Sequence, residues 1–552
     1  MYNLLIGGAA GQGIDTTAAI LEKLLKRSGC AVFTMRDFMS RVRGGHNFTQ
    51  IRFGDQPLYA HSDGLDGIIA LNDETVALHA GRLNDGGFIL CDTAIQTDDP
   101  RALRIDMNAI AKDAGNARAS GSVAVGAVLK LFGVGLEAVE DVLPTFVKEQ
   151  YLQANLQALR QGYDAMQPRF QAQPGDFAGT LMMTGSRAMA LGAVAAGLKF
   201  YSAYPMSPST TIMEVLAATS EKTGVVVEQA EDEIAAINMA IGASFAGARA
   251  MTGTSGGGFS LMVEALGLSG MAEIPLVVVD VQRPGPVTGL PTRTEQSDLK
   301  FVISASQGEF PRMVIAVRNH TDAFYQTARA FHLAEKYQIP VILLSDQYLG
   351  DASATVPAYD LEAIHMAQPA TAHEGEGEYL RYRLTDSGVS PRLIPGKTEH
   401  LVTADSDEHD ERGHITESAE VRVAMMDKRI RKLEGLRAEL QEPDFLGDEA
   451  CHTLLLGWGS LWGPIKEAVE LMGPGYGALV FGDIDPLPTA RLLEKAAAVR
   501  RIVNVEQNAT GQLAGLIREH TGIACHGSVI KYDGRQMTAA FIADAVRKGE
   551  GQ

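Results

Sequence analysis

Short apolar runs alternate with amphipathic stretches along most of the chain, the pattern of strands and helices taking turns in an α/β protein. Tyr2 to Ile6 is an apolar run that enters a glycine-rich loop, Gly7 to Gly13, and then the helical spacing of Ile14, Ala18, Leu21 and Leu25. Strands are expected at Gly67–Leu71 and Gly87–Cys91 and an apolar helix over Ser120–Val134, so residues 1–170 read as a doubly wound domain. Proline, glycine and polar residues then collect at 171–179 in the manner of a linker.

A second α/β domain is expected over residues 180–365. It opens with a small-residue helix, Ala188–Gly197, and a loop, YPMSPST, in which Pro205 and Pro208 restrict the backbone and Ser209 or Thr210 can cap the next helix. Its strands are expected at Val225–Val227, Ala250–Thr252, Leu276–Val279, Met313–Ala316 and Val341–Leu344. Residues 366–448 form a polar connector, most charged from Glu374 to Leu440, with a histidine-rich run (His400, His409, His414) and a basic helix, MMDKRIRKLEGLRAEL. The pattern returns to strand, loop and helix in 449–552, a third sheet domain.

Composition narrows the function. A chain of 552 residues exceeds what one hydrophobic core supports. A net charge of -19 argues against a surface that tracks phosphates, and a small-molecule enzyme fits better. The four cysteines (Cys30, Cys91, Cys451, Cys525) show no ligand-like spacing, so any iron–sulfur cluster is expected to belong to a partner. The N-terminus reads as a strand rather than a signal peptide, and Glu264 and Glu273 interrupt the most apolar stretch, Leu261 to Val281. A cytoplasmic protein is expected.

Three places carry candidate chemistry. Gly7, Gly8, Gly11 and Gly13 match a dinucleotide fingerprint only loosely; they could present N–H groups to a phosphate, but a tight turn explains them as well. The stretch VVVEQAEDEIAAINMAIG delivers Glu228, Glu231, Asp232 and Glu233 to the start of a helix with Ile234, Ile237 and Ile241 expected on one side. Carboxylates there complement the helix dipole without any catalytic role. Gly256 to Gly258 would let a backbone approach a ligand, and Arg283 and Arg293 follow the VVVDV strand at a carboxyl end, where open α/β sheets bind ligands.

Together YPMSPST, EQAEDEIAAINMAIGAS, TSGGGFSLM, QRPGPVTGLPTRTEQSDL, EHDERGH and VEQNATGQLA resemble the alpha subunits of 2-oxoacid:ferredoxin oxidoreductases, with a gamma-type domain fused in front. The resemblance spans essentially the whole chain and looks most like the 2-oxoglutarate branch. It implies a gamma-type α/β domain, a pyrimidine-binding thiamine-diphosphate domain and a transketolase C-terminal-like α/β domain. It also implies a beta subunit bringing the diphosphate- and Mg2+-binding domain and a [4Fe–4S] cluster, in an (alpha-beta)2 heterotetramer that uses CoA, ferredoxin and a 2-oxoacid. By position, Glu231 matches the cofactor-activating carboxylate, with Glu228 second. Tyr204, Pro205, Ser255 and Gly256 match cofactor-binding positions. Ser207, where the family usually has Thr, and Arg293 match the grip on the substrate carboxylate, while Gly257 replaces the usual proline of TSGPGFS. Pyruvate or a broad range of 2-oxoacids is the alternative substrate, and a non-catalytic assembly subunit the alternative class. The resemblance gives the histidine-rich run no metal, and a solvated loop is expected there.

Overall fold

A computed structural model describes residues 1–40, 45–368 and 378–549, which form two compact units. Glu374, where the polar stretch begins, lies outside the described residues.

The first unit comprises Met1–Thr184 with Asp351–Ala358 and Thr538–Ala540. Its eight-stranded sheet is mixed. The glycine-ended strand Tyr2–Ala9 lies between a parallel neighbour, Leu65–Ala70, and an antiparallel one, His46–Gly54. The apolar stripe Ile14, Ala18, Leu21 and Leu25 is buried as its spacing requires, on helix Ile14–Arg27. The helix expected from Ser120 runs over Ser120–Leu131 and joins the same core. Strands Ala31–Asp37 and His46–Gly54 escaped the sequence reading, and their antiparallel pairing makes the sheet mixed rather than doubly wound.

In the second unit a seven-stranded sheet runs Asp483–Asp485, Met313–Ala316, Pro340–Asp346, Leu276–Gln282, Ala250–Thr254, Phe200–Ala203 and Val226–Gln229. Six strands are parallel, and the short Asp483–Asp485, contributed from the last third of the chain, pairs antiparallel at the edge. Every residue of Leu276–Gln282 is buried, as expected of a parallel strand covered on both faces, and that includes Asp280. A five-stranded sheet centred on Thr453–Trp458 completes the unit. All the strands expected between Val225 and Leu344 are present within a few residues of their expected bounds.

The basic segment is more than a connector. It forms helix Ala419–Arg437, whose Lys428, Arg429 and Lys432 are buried. Lys428 and Lys432 lie 2.6 and 2.5 Å from the two carboxylate oxygens of the fully buried Glu273. Nor is the histidine-rich run uniformly solvated. His409 is buried against the Tyr382 ring at 4.0 Å, and Glu408 pairs with Arg422 and Arg429. Among the described residues no helix is long and apolar enough to cross a membrane.

Candidate cofactor and substrate site

The parallel strands of the second unit deliver their carboxyl-end loops to one edge of the sheet, and three of those loops are tied together. Ser255 Oγ donates to Met206 Sδ at 2.9 Å, joining TSGGG to YPMSPST. Arg283 Nη1 donates to the Ser207 carbonyl at 2.6 Å, and the Asp298 backbone N–H to Gln282 Oε1 at 3.1 Å. The Asp298 carboxylate occupies the space that a Cβ on Gly256 would need, so glycine is required there. Ser207, Ser255 and Gly256 are thereby gathered. Tyr204 is exposed beside them, with Pro205 half-buried.

The four carboxylates of the acidic turn separate clearly. Glu228 and Glu231 are exposed. Asp232 caps helix Glu233–Phe245, its side chain accepting from the Ala235 N–H at 2.7 Å, so the helix-end role belongs to this residue. Glu233 turns inward and is 3% exposed, with no hydrogen-bond partner for Oε1 among the described residues. It lies against Thr254 and Gly258, where any side chain at 258 would displace it. Sequence reasoning grouped Glu233 with the helix dipole because spacing alone cannot tell a capping carboxylate from one turned inward. Ile237 and Ile241 are buried as expected, while Ile234 is exposed.

Arg293 begins a loop that is anchored along its length. The Thr294 N–H donates to the Gly534 carbonyl at 3.3 Å and the Gln296 N–H to the Gln507 carbonyl at 2.8 Å. Gln296 Nε2 reaches the Trp458 carbonyl at 2.9 Å, and Asn508 Nδ2 the Gln296 carbonyl at 3.1 Å. The VEQNATGQLA motif is therefore a clamp. Its fully buried Glu506 accepts from Trp458 Nε1, Asn508 Nδ2 and the Leu513 and Ala514 N–H groups, which fixes the turn that holds this loop.

Beneath this edge lie four carboxyl groups pushed upward. Burial raises Asp280 well above the usual carboxylate range, and the nearby Asp298 raises it further. Burial also lifts Asp298 to about 6 against the pull of Arg283, Asp346 to about 6 despite the hydrogen bonds it accepts, and Glu295 to about 7. The sequence did carry a signal for Asp280: an aspartate inside VVVDV has no apolar reason to be there. On the loops and helices that leave this edge apolar side chains are exposed, including Ile234, Met239, Leu261, Leu290 and, at 85%, Val287.

Residues 191–428 match a family model described as pyruvate flavodoxin/ferredoxin oxidoreductase, thiamine diP-bdg. Residues 3–165 match one described as pyruvate ferredoxin/flavodoxin oxidoreductase. Fold and site thus define an oxidoreductase subunit with a thiamine-diphosphate-binding domain. The 2-oxoacid:ferredoxin oxidoreductase subunit alpha of a Sulfolobus species is 31% identical over 99% of this chain and 96% of its own length. The 2-oxoglutarate oxidoreductase subunit KorA of Mycobacterium tuberculosis is 29% identical over 98% of this chain and 89% of its own. A solved 2-oxoglutarate:ferredoxin oxidoreductase from Magnetococcus marinus, with 2-oxoglutarate, coenzyme A and succinyl-CoA bound, superposes with a TM-score of 0.93 at 32% identity, covering 99% of both chains. The chain belongs to the 2-oxoacid:ferredoxin oxidoreductase alpha subunit family.

Proposed function

We propose that this chain, together with a beta subunit, converts 2-oxoglutarate and CoA to succinyl-CoA and carbon dioxide, or runs the reverse, with ferredoxin as electron partner. The beta subunit would supply the diphosphate- and Mg2+-binding domain and a [4Fe–4S] cluster, in a cytoplasmic (alpha-beta)2 assembly. The 2-oxoglutarate-named relatives and the ligands of the Magnetococcus marinus protein support the choice of substrate. The exposed apolar surface around the loops supports a partner seated there.

One observation carries the reading: Glu233 has a buried carboxylate oxygen without a partner among the described residues, at the carboxyl edge of the sheet, inside the segment that matches the thiamine-diphosphate-binding family model. A ring nitrogen of the cofactor's aminopyrimidine would satisfy that oxygen, so the residues fit the group. When bound, thiamine diphosphate supplies the carbon that bonds the keto carbon and holds the electron pair left by carbon dioxide. Glu233 would hold the proton on the ring nitrogen N1′. This departs from the choice of Glu231 on spacing, because Glu231 is exposed whereas a carboxylate must be shielded from water to hold such a proton strongly. Ser255 and Gly256 line the approach to the ring, and Tyr204 and Pro205 wall it from water. Ser207 and Arg293 orient the substrate carboxylate.

The test compares Glu233→Gln with Glu231→Gln in the co-purified complex, following viologen reduction driven by 2-oxoglutarate and CoA. Glu233→Gln should lose about 10²-fold or more in kcat, and Glu231→Gln about 3-fold or less. The reverse order would move the role back to Glu231. No thiamine diphosphate binding by the wild-type complex would overturn the enzyme reading in favour of an assembly subunit, and faster turnover of pyruvate would overturn the substrate.

A further inference from the structure

Behind the substrate loop lies a set of charges that the proposed chemistry does not use. Asp280 is fully buried at the end of strand Leu276–Gln282, and neither of its carboxylate oxygens has a hydrogen-bond partner among the described residues. Asp298, whose Oδ2 also lacks one, is the neighbouring charge that acts on it. The cation that acts on Asp298 is Arg283, and Arg283 donates to the Ser207 carbonyl. The groups form a chain from a buried acid to the loop whose Ser207 we assign to the substrate carboxylate.

We propose that Asp298 and Arg283 are positioning residues that fix the Ser207 loop, and that Asp280 stands behind them as a neutral acid, leaving one negative charge to face Arg283. The inference rests on the reading of Ser207 given above. Two buried carboxylates that act on each other, with three of their oxygens lacking a donor among the described residues, cannot both ionise cheaply, so the pair retains one proton. Its single charge attracts Arg283, and Arg283 holds the loop through the Ser207 carbonyl. A second charge would unbalance the arrangement and press Asp298 away from Gly256, against which it packs.

The surroundings offer little else to neutralise the pair. On the same strand stands Gln282, whose Oε1 accepts from the Asp298 N–H. The Arg293–Asp298 loop adds Glu295, itself raised to about 7, and Asp533 acts on Glu295 from a neighbouring loop. The adjacent strand Pro340–Asp346 brings Ser345 and Asp346, and strand Ala250–Thr254 brings Thr252 and Thr254. Most of the titratable groups at this edge are acids, so losing the shared proton adds charge where it is least tolerated.

The sign follows. The pair carries its single charge once pH rises above the value of about 6 at Asp298, and the arrangement fails as pH rises further past the raised value of Asp280, whose proton is held tighter in the folded chain than in the unfolded one. In the assembled complex, KM for 2-oxoglutarate should therefore climb as pH is raised above about 6 into the alkaline range, and Asp280→Asn, which cannot ionise, should flatten that climb. Asp298→Asn and Arg283→Gln should each raise KM about 10-fold while kcat moves less than about 3-fold, with Arg283→Lys falling between wild type and Arg283→Gln. Should Asp298→Asn not fold, the half-buried Arg283→Gln carries the same comparison.

An unchanged KM in Arg283→Gln, or a pH profile of Asp280→Asn that superimposes on wild type, would overturn the proposal. Heat unfolding of the chain over the same pH range provides a readout without turnover. The midpoint of wild type should fall relative to Asp280→Asn as pH rises, and parallel curves would overturn the shared proton. A wild-type complex inactive on every 2-oxoacid would instead overturn the assigned function, while the unfolding comparison would still decide the acid pair.

Discussion

One stretch of chain meets the problem of a buried carboxylate twice and solves it in opposite ways. Just before strand Leu276–Gln282, Glu273 is fully buried between Lys428 and Lys432. Burial pushes its carboxyl up, but the charges of Lys428, Lys432 and Arg381 outweigh that and hold it far below the ordinary range. Seven residues on, at the other end of the strand, the equally buried Asp280 meets another acid, Asp298, and both rise. The end remote from the loops is over-supplied with counter-charge, brought by a helix from more than 140 residues away. The end that carries the loops is left short of it. Uncompensated charge of this kind concentrates where a protein binds and reacts, since a ligand or a partner can supply what the fold withholds.

The largest effect should come from the compensated end. Glu273→Gln removes the anion that faces two buried lysines and an arginine, and breaking such a set costs about 3–5 kcal/mol. Denaturant unfolding should show that loss as a lower midpoint at unchanged slope. If the cost were below about 1 kcal/mol, Glu273 and Asp280 would be energetically alike and the contrast would collapse.

A smaller effect, with a definite pH signature, belongs to the loop end. Asp346 has a folded value of about 6, above the ordinary carboxylate range, because burial outweighs the hydrogen bonds it accepts from Leu349, Tyr348, Thr294 and Ser460. A raised carboxyl contributes stability that is present below its unfolded value and is lost as pH rises through about 6. The unfolding free energy of wild type relative to Asp346→Asn should therefore fall by on the order of 1–2 kcal/mol between about pH 4.5 and about pH 7. A difference independent of pH would show that Asp346 is compensated after all, as Glu273 is.

How much of this was legible in the sequence depends on the range of the interaction. The strands between Val225 and Leu344 were readable because each is a local apolar run. The helix start near Asp232 was readable because carboxylates gather there just ahead of an apolar helical run. Glu233 was not, since its inward turn is decided by Gly258 and Thr254 on another strand and helix. The basic helix read as part of a polar connector because its partner, Glu273, lies 155 residues from Lys428. Strands Ala31–Asp37 and His46–Gly54 hid because mixed runs such as VFTMRD and NFTQIRF give no clean period, and their place is set by pairing across the sheet. Motif recognition pointed to loops that the fold ties together, but it ranked their carboxylates by spacing, whereas burial separates them.

The smallest effect tests whether a motif that carries the resemblance also carries energy. Within EHDERGH, Glu408 receives the buried Arg429 at 2.8 Å and also Arg422, and His409 is buried on Tyr382. Arg412 in the same motif pairs with Glu378 at 2.7 Å, but the two side chains are 50% and 59% exposed. Water screens such a pair, and ordering two long side chains consumes much of what the contact gains. Arg412→Ala should therefore leave the unfolding midpoint unmoved, whereas Glu408→Gln, which strips the counter-charge from buried Arg429, should lower it clearly. Equal shifts would mean that exposure does not decide what an ion pair is worth in this chain. The reading of Glu273 as a structural anchor, which rests on that rule, would then fail with it.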